Sequence, residues 1–257
     1  MIQVVDGCFA YPKGPQILDH VCFELGEGRI MTILGQNGIG KTTLIKCLTG
    51  IYKWTDGYTM IDGKRIHNIR EISGLGYVPQ AHPLSFSYTV RQIILMGRTR
   101  FVKTFSVPSA KDKEAVEQAM EETGIQDLAD RCCNQLSGGQ LQMALIARAL
   151  VGNPKIMILD EPESHLDFKN QYLVLQMIEK LAREKQISCI INTHFPEHAL
   201  MISDQTLMLG KGRYRFGDTD EIIKEENIAE FFHIKAKIVE VEEASRKHRA
   251  FVVLDTI

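Results

Sequence analysis

The sequence predicts an α/β fold. A mainly parallel sheet is covered by helices, an antiparallel β region precedes it, and a helical subdomain interrupts it. Three observations carry that prediction. Residues 30–34, 156–159 and 187–191 are compact, mostly apolar runs with the length of buried strands. Helical patterns alternate with them, as strand–helix–strand crossovers require. Between about residues 83 and 151 the strand signals stop and capped helical patterns replace them.

Taken in order, Val4, Cys8, Val21 and Phe23 lie in β-rich runs broken by Tyr11-Pro12-Lys13-Gly14-Pro15, a loop sequence. Residues 30–34 end at a glycine-rich loop, and residues 42–48 read as a helix. Residues 58–61 and 76–78 are short strands, the first followed by the turn Asp62-Gly63. Thr89 and Gln92 have capping-box spacing ahead of Ile93, Ile94 and Leu95. Ser109 caps a helix running to Thr123, with Gly124 as its stop. Val116, Ala119, Met120 and Thr123 give that helix one apolar face. Ser137 opens a third helix that ends near Gly152 and Pro154. A strand over 156–159, a helix over 168–184 and a strand over 187–191 follow. Next come a short helix over 196–202, a strand over 206–209 and the turn Gly210-Lys211-Gly212 into 213–216. Two β-like runs, 237–241 and 250–254, flank the charged stretch 242–249 and predict a terminal hairpin. The organisation expected is one domain over 1–257. Its α/β core spans 1–82 and 152–232, its helical subdomain 83–151 and its β-like tail 233–257.

A chain of 257 residues can bury a substantial core, and 44% hydrophobic with 24% charged residues is ordinary for a globular protein. The net charge of −2 lacks the basic excess of a dedicated nucleic-acid binder, so nucleic acid is not an expected partner. No run approaches the ~20 apolar residues that cross a bilayer, and the first residues lack a signal-peptide pattern. The six cysteines form no Cys-x-x-Cys pair, and no histidine cluster sits at zinc spacing. Unpaired cysteines read first as small buried hydrophobes, with Cys132-Cys133 as a redox pair the alternative.

The chemistry concentrates in short motifs. Gly35-Gln36-Asn37-Gly38-Ile39-Gly40-Lys41-Thr42 fits the phosphate-loop spacing, and Thr43 follows it. Glycines let the backbone curl around phosphate oxygens and aim its N–H groups inward. The helix start behind them adds roughly half a positive charge. Lys41 is placed to reach the β- and γ-phosphates of ATP, and the Thr42 hydroxyl to ligate Mg²⁺. Asp160 and Glu161 end an apolar strand, with Asp160 placed to hold Mg²⁺ and Glu161 to deprotonate an attacking water.

Ser137-Gly138-Gly139-Gln140 leaves two accounts open. One is a well-made helix start, serine at the cap and glutamine three residues on. The other is a second anion receptor, because each glycine costs up to ~1 kcal/mol in a helix and frees the backbone to approach a phosphate. The phosphate loop already occupies one side of the γ-phosphate. A second receptor then faces the nucleotide of another copy of the chain, under two-fold symmetry.

With these motifs in this order the chain resembles the ATP-binding cassette subunit of an ABC transporter, a P-loop NTPase. Leu136 to Gln140 is similar to the family signature, Gly35 to Thr43 to Walker A, and residues 156–161 to Walker B. The resemblance implies that Gln80, in Tyr77-Val78-Pro79-Gln80, senses Mg²⁺ and lines the contact with the membrane subunit. It implies a switch role for His194 at the γ-phosphate and adenine stacking by Tyr11, worth roughly 1–3 kcal/mol. Residues 164–167 stand at the D-loop position. Met143, His165, Glu163, Phe195 and Trp54 depart from the usual pattern, and none of them is a phosphate, metal or water ligand.

The segments Ser85-Phe86-Ser87-Tyr88-Thr89-Val90 and Met96-Gly97-Arg98-Thr99-Arg100-Phe101 resemble cassettes of the iron-siderophore, haem, cobalamin and molybdate importers. Phe231-Phe232-His233-Ile234 and the last strand pair do the same. The resemblance implies an ATPase at the cytoplasmic face of the membrane, peripheral, paired with a second copy and two permease subunits. An extracytoplasmic binding protein then acts indirectly. The alternative is a soluble non-transport ABC ATPase, such as an iron–sulfur cluster assembly cassette.

Overall fold

The computed structural model describes residues 1–68, 72, 74–81, 87–102, 106–243 and 246–256. Ser85 and Phe86 of the importer-like motif lie outside them. The elements run β1 (Ile2–Ala10), β2 (Gln16–Leu25), β3 (Ile30–Leu34), α1 (Lys41–Leu48), β4 (Asp56–Ile61), β5 (Lys64–Ile66), β6 (Leu75–Val78), α2 (Val90–Met96), α3 (Ala110–Thr123) and α4 (Gly138–Leu150). They continue with β7 (Ile156–Asp160), α5 (Phe168–Lys185), β8 (Ser188–Asn192), α6 (Pro196–Ile202), β9 (Gln205–Gly210), β10 (Arg213–Asp218), α7 (Thr219–Ile222), α8 (Glu225–Phe232), β11 (Ile234–Glu243) and β12 (Arg246–Thr256). The chain divides into two compact units, Met1–Ser73 with Ala182–Ile257, and Gly74–Leu181.

In the first unit, β2-β1-β4-β5 form the expected antiparallel sheet. β3 pairs in parallel with both β8 and β9, and β10 returns antiparallel along β9. Every residue of β3 and β8 is buried. That explains why both are dominated by consecutive apolar residues rather than by alternating ones. Arg183 closes one end of this unit with two bonds of 2.9 Å to the Asp204 carboxylate. The terminal hairpin forms as β11 and β12, with Ile238 and Phe251 turned onto a cluster built from Leu34, Met208, Ile228 and Phe231. Helix α8 in that cluster has no counterpart in the sequence reading.

In the second unit, β6 and β7 pair in parallel. The helices start where the local signals put them. Thr89, Ser109 and Ser137 each cap a helix with a complete capping box, and Gly124 ends α3 in the left-handed region at φ 68°. The α3 face Val116, Ala119, Met120 and Thr123 is buried as its spacing predicts. Arg98 ties three helices together. It follows α2, donates 2.9 Å to Asp112 in the first turn of α3, and donates 3.2 Å to the Val151 carbonyl at the end of α4. The neighbouring Gly97 lies so close to α4 that a Cβ would stand 2.1 Å from the Arg148 carbonyl oxygen. The Gly-Arg pair noted as an importer-like feature is thus the clamp of the helical subdomain.

All six cysteines are free thiols. Cys133 is buried and Cys132 partly so, and burial pushes the Cys133 thiol upward, against easy ionisation. Among the described residues no helix is long and apolar enough to cross a membrane.

Candidate active site

In the first unit the phosphate loop leaves the C-terminal end of β3, and His194 leaves the end of the adjacent parallel β8. Ile33 pairs with Asn192, and the Thr193 N–H donates 3.1 Å to the Ile33 carbonyl. Ligand sites of parallel α/β sheets form at such strand ends. Gly40 precedes α1 with φ 115°, and a Cβ there would meet Ile17 Cγ2 at 2.7 Å. A residue with a side chain is excluded on both counts. No side chain among the described residues caps α1, whereas α2, α3 and α4 are fully boxed. The first N–H groups of α1 are left to an anion.

Lys41 is buried and turns back over the loop, donating 2.8 Å to the Gly35 carbonyl and 3.1 Å to the Gln36 carbonyl. Gln36 is anchored from outside the loop, its amide donating 3.0 Å to the Phe231 carbonyl at the end of α8. Helix α8 was not read from the sequence, and this contact gives it a role in holding Walker A. Its signals were present: Glu225 and Glu226 in the first turn, then Ile228 and Phe231 three apart and both buried. The Tyr11 hydroxyl lies 3.2 Å from Thr43 Oγ1, within hydrogen-bonding reach, and the ring packs edge-on against Phe9 at 5.1 Å and Tyr52 at 5.9 Å. His194 packs against Phe195 with ring centroids 4.0 Å apart and planes tilted by 37°, and its Nδ1 is buried with no protein partner among the described residues. A buried polar atom of this kind calls for a ligand or water. The unusual Phe195 therefore serves to seat the ring.

In the second unit, β7 ends at Asp160, and the chain turns sharply at Glu161, which sits in the left-handed region at φ 47°. Such strain in a residue other than glycine gathers at functional sites. Glu161 Oε2 accepts 3.0 Å from the Ser164 hydroxyl and stands 3.5 Å from the Gln80 amide nitrogen. Asp160 Oδ2 accepts 3.3 Å from the Tyr77 hydroxyl. Burial first, and the Asp160 charge second, push that phenol up to about 12, so it stays a donor. Tyr77 stood in the motif around Gln80 without a role of its own; the structure gives it one.

At the signature, Ser137 Oγ accepts from the Gln140 N–H at 3.3 Å, and Gln140 Oε1 accepts from the Ser137 N–H at 3.1 Å. The helix-start account is borne out by this complete capping box, and the two glycines stand in different surroundings. Gly139 is buried, and a Cβ there would stand 2.4 Å from Asn170 Oδ1 on α5. It is small because α5 passes close by. Gly138 is exposed, and its nearest neighbour would be the flexible Leu166 Cδ2 at 3.0 Å. Packing gives Gly138 no comparable reason to be glycine.

The uncapped helix start, the buried lysine and the unpartnered histidine nitrogen suit a nucleotide triphosphate. The Thr42 hydroxyl and the Asp160 carboxylate are hard oxygen donors of the kind Mg²⁺ takes. The family model for the ABC transporter matches residues 18–164, and the chain belongs to that family as its ATP-binding cassette, an ATPase that uses ATP with Mg²⁺. The molybdate import ATP-binding protein MolC of Haemophilus influenzae is 37% identical over 226 residues, 88% of this chain and 85% of that one. A Helicobacter pylori ATP-binding protein named for iron chelatin transport is 33% identical over 220 residues, 81% of this chain and 86% of its own. A transporter described as of metal-chelate type, solved in an inward-facing conformation, contains a chain that superposes with a TM-score of 0.90. That chain is 33% identical, and the match covers 98% of this chain and 97% of that one.

Proposed function

We propose that this chain powers a membrane importer for a metal chelate or a molybdate-type oxyanion. Two copies work beneath two permease subunits at the cytoplasmic face, and a binding protein delivers cargo from outside. The observation that carries the importer class is the end-to-end match, terminal hairpin included, to a chain of a metal-chelate-type transporter. The names of the molybdate and iron-chelatin relatives point the same way.

ATP is held through its phosphates by the N–H groups of Gly35, Gln36, Asn37, Gly38, Gly40, Lys41, Thr42 and Thr43, and by the Lys41 ammonium. Tyr11 stacks on the base. Thr42, Asp160 and Gln80 would hold Mg²⁺, which would supply positive charge to neutralise the phosphates. Glu161 accepts the proton of the attacking water, and His194 and Lys41 stabilise charge on the phosphoryl group. Ser137, Gly138, Gly139 and Gln140 present a second helix start to the nucleotide of the other copy, and the exposed Gly138 supports that reading. The permease docks on the helical subdomain, where Tyr88, Leu95, Met96 and Pro108 line an apolar groove of about 420 Å³. Gln80, bonded to Glu161 in the same unit, links such docking to the general base.

Pull-down from the source cells' solubilised membranes, followed by co-expression with any many-span membrane protein recovered, tests the proposal. Copurification, with ATP turnover stimulated by the loaded binding protein and vesicle uptake of the chelate, is the expected result. A chain that hydrolyses ATP at full rate alone and binds no membrane protein would instead be a soluble assembly-type cassette.

A further inference from the structure

The β1–β2 pair carries an irregularity that ATP chemistry does not use. Its register slips three times, between Val4 and Gly7, between Gly7 and Phe9 and between Phe9 and Ala10. Beside these slips Asp6 and His20 both adopt left-handed backbone, at φ 53° and 49°. Successive strand side chains normally point to opposite faces. The turn at His20 breaks that alternation, and its side chain and that of Asp19 converge, with His20 Nε2 3.8 Å from Asp19 Oδ1. Cys8 comes in from the opposite strand, its sulfur accepting 3.2 Å from the His20 N–H. A thiol, a carboxylate oxygen and an imidazole nitrogen thus lie within 4.8 Å of one another.

The imidazole is oriented. Asp6 Oδ1 lies 2.7 Å from His20 Nδ1. A carboxylate there keeps the proton on Nδ1 and turns the Nε2 lone pair outward, as the outer partner of a metal-bound histidine does. Asp19 also accepts 2.7 Å from the Gln16 amide, which holds its carboxylate in place. Cys8 is buried while Asp19 and His20 are exposed, so the cluster is open to solvent on one side.

We propose that Cys8, Asp19 and His20 form a binding site for a borderline divalent transition-metal ion of the zinc type, with Asp6 positioning the histidine. Sulfur, nitrogen and oxygen donors together suit zinc or cobalt and disfavour Mg²⁺ and Ca²⁺. Ligand atoms on a tetrahedral zinc stand roughly 3.3–3.6 Å apart, given its usual bond lengths. The 3.8 Å between His20 Nε2 and Asp19 Oδ1 is already near that spacing, and the exposed side chains close the rest by small rotamer shifts. Sequence spacing hides the site because its ligands come from two strands joined by a turn.

Reduced, nucleotide-free protein titrated with Co²⁺ and then Zn²⁺ tests the site. One equivalent of Co²⁺ is expected, with a thiolate-to-cobalt absorption band that zinc abolishes. Asp19→Asn, on the exposed side, and His20→Asn, which keeps a residue tolerant of left-handed backbone, are expected to weaken binding at least tenfold. Cys8→Ser removes the charge-transfer band, and Asp6→Asn weakens binding roughly 10- to 100-fold without changing the band. Cys22→Ser leaves everything as it was. Circular dichroism confirms that each variant is folded. No binding at micromolar metal overturns the site, as does binding that survives in both folded Asp19→Asn and His20→Asn.

Discussion

Gln80 and Glu161 meet side chain to side chain, the Gln80 amide nitrogen 3.5 Å from the Glu161 carboxylate. Glu161 also takes the Ser164 hydroxyl at 3.0 Å and sits on strained left-handed backbone. The carboxylate is therefore positioned by neighbours on both sides. Glu161→Gln is expected to cut ATP turnover by roughly 10²–10⁴-fold while nucleotide binding stays within a few-fold of wild type. Gln80→Ala keeps the base and loses its aim, so turnover falls less, by roughly 10- to 100-fold. Steady-state phosphate release and equilibrium nucleotide binding on the same samples separate the two. Equal losses in both variants would make Gln80 a chemical participant rather than a positioning residue.

The signature glycines separate by experiment. Gly139→Ala forces a methyl onto Asn170, whose amide is tied to Asp167 at 2.8 Å and cannot swing freely away. Overpacking of this kind costs about 1–3 kcal/mol, which outweighs the gain of up to ~1 kcal/mol from removing a helix glycine. Gly138→Ala meets only a leucine methyl and is expected to leave stability unchanged or slightly raised. If the signature faces the other copy's nucleotide as proposed, its ATP turnover should nonetheless fall, because the added methyl narrows that approach. Thermal unfolding and ATPase assays run in parallel decide this. Full activity in a stable Gly138→Ala protein would remove the cross-subunit role from that backbone.

What the sequence showed and what it hid follow from how local each signal is. Capping boxes at Thr89, Ser109 and Ser137 involve residues three apart, and all three are present in the structure. Buried parallel strands announce themselves because both faces must be apolar, as in β3 and β8. The Walker A loop was legible for the same reason, being one continuous stretch. Partners brought together from far apart were not legible. Tyr77 and Asp160 are separated by 83 residues, and Gln36 and Phe231 by 195. The left-handed turn at Glu161 and the reason for Gly139 likewise depend on what packs beside them. Helix α8, at eight residues, is too short for its apolar spacing to stand out against the charged residues around it.

The helical subdomain should lose stability in acid through one group. Hydrogen bonds from the Ser109 hydroxyl and N–H, then the Arg98 guanidinium, hold the Asp112 carboxyl at about 2 against an ordinary 3.8. A carboxyl lowered by folding stabilises the protein fully above its unfolded value and progressively less as pH falls through its folded value. The contribution is thus complete above pH 3.8 and disappears toward about 2. Asp112→Asn should melt earlier than wild type near neutral pH. The gap between their melting curves should narrow as the buffer is taken from pH 3.8 to about 2. A gap that stays constant across that range would show that the substituted amide fails through geometry alone, with the charge irrelevant.

Tyr11 does two jobs in this reading, and two substitutions divide them. Its hydroxyl reaches Thr43 in Walker A at 3.2 Å, and its ring, 40% exposed, packs edge-on against Phe9 and Tyr52. A ring braced by two neighbours and still partly exposed is available to stack on a base. Tyr11→Phe keeps the ring and drops one partly buried hydrogen bond, so stability falls by about 1 kcal/mol and nucleotide affinity changes little. Tyr11→Ala removes the face as well, and the loss of roughly 1–3 kcal/mol of stacking weakens ATP binding about 5- to 150-fold. Titration with a fluorescent ATP analogue measures both. If Tyr11→Ala binds nucleotide as tightly as wild type while Tyr11→Phe is destabilised, the residue is an anchor for the loop and the adenine rests elsewhere. The two outcomes cannot be confused, because the anchoring bond is lost in both variants and the aromatic face in only one.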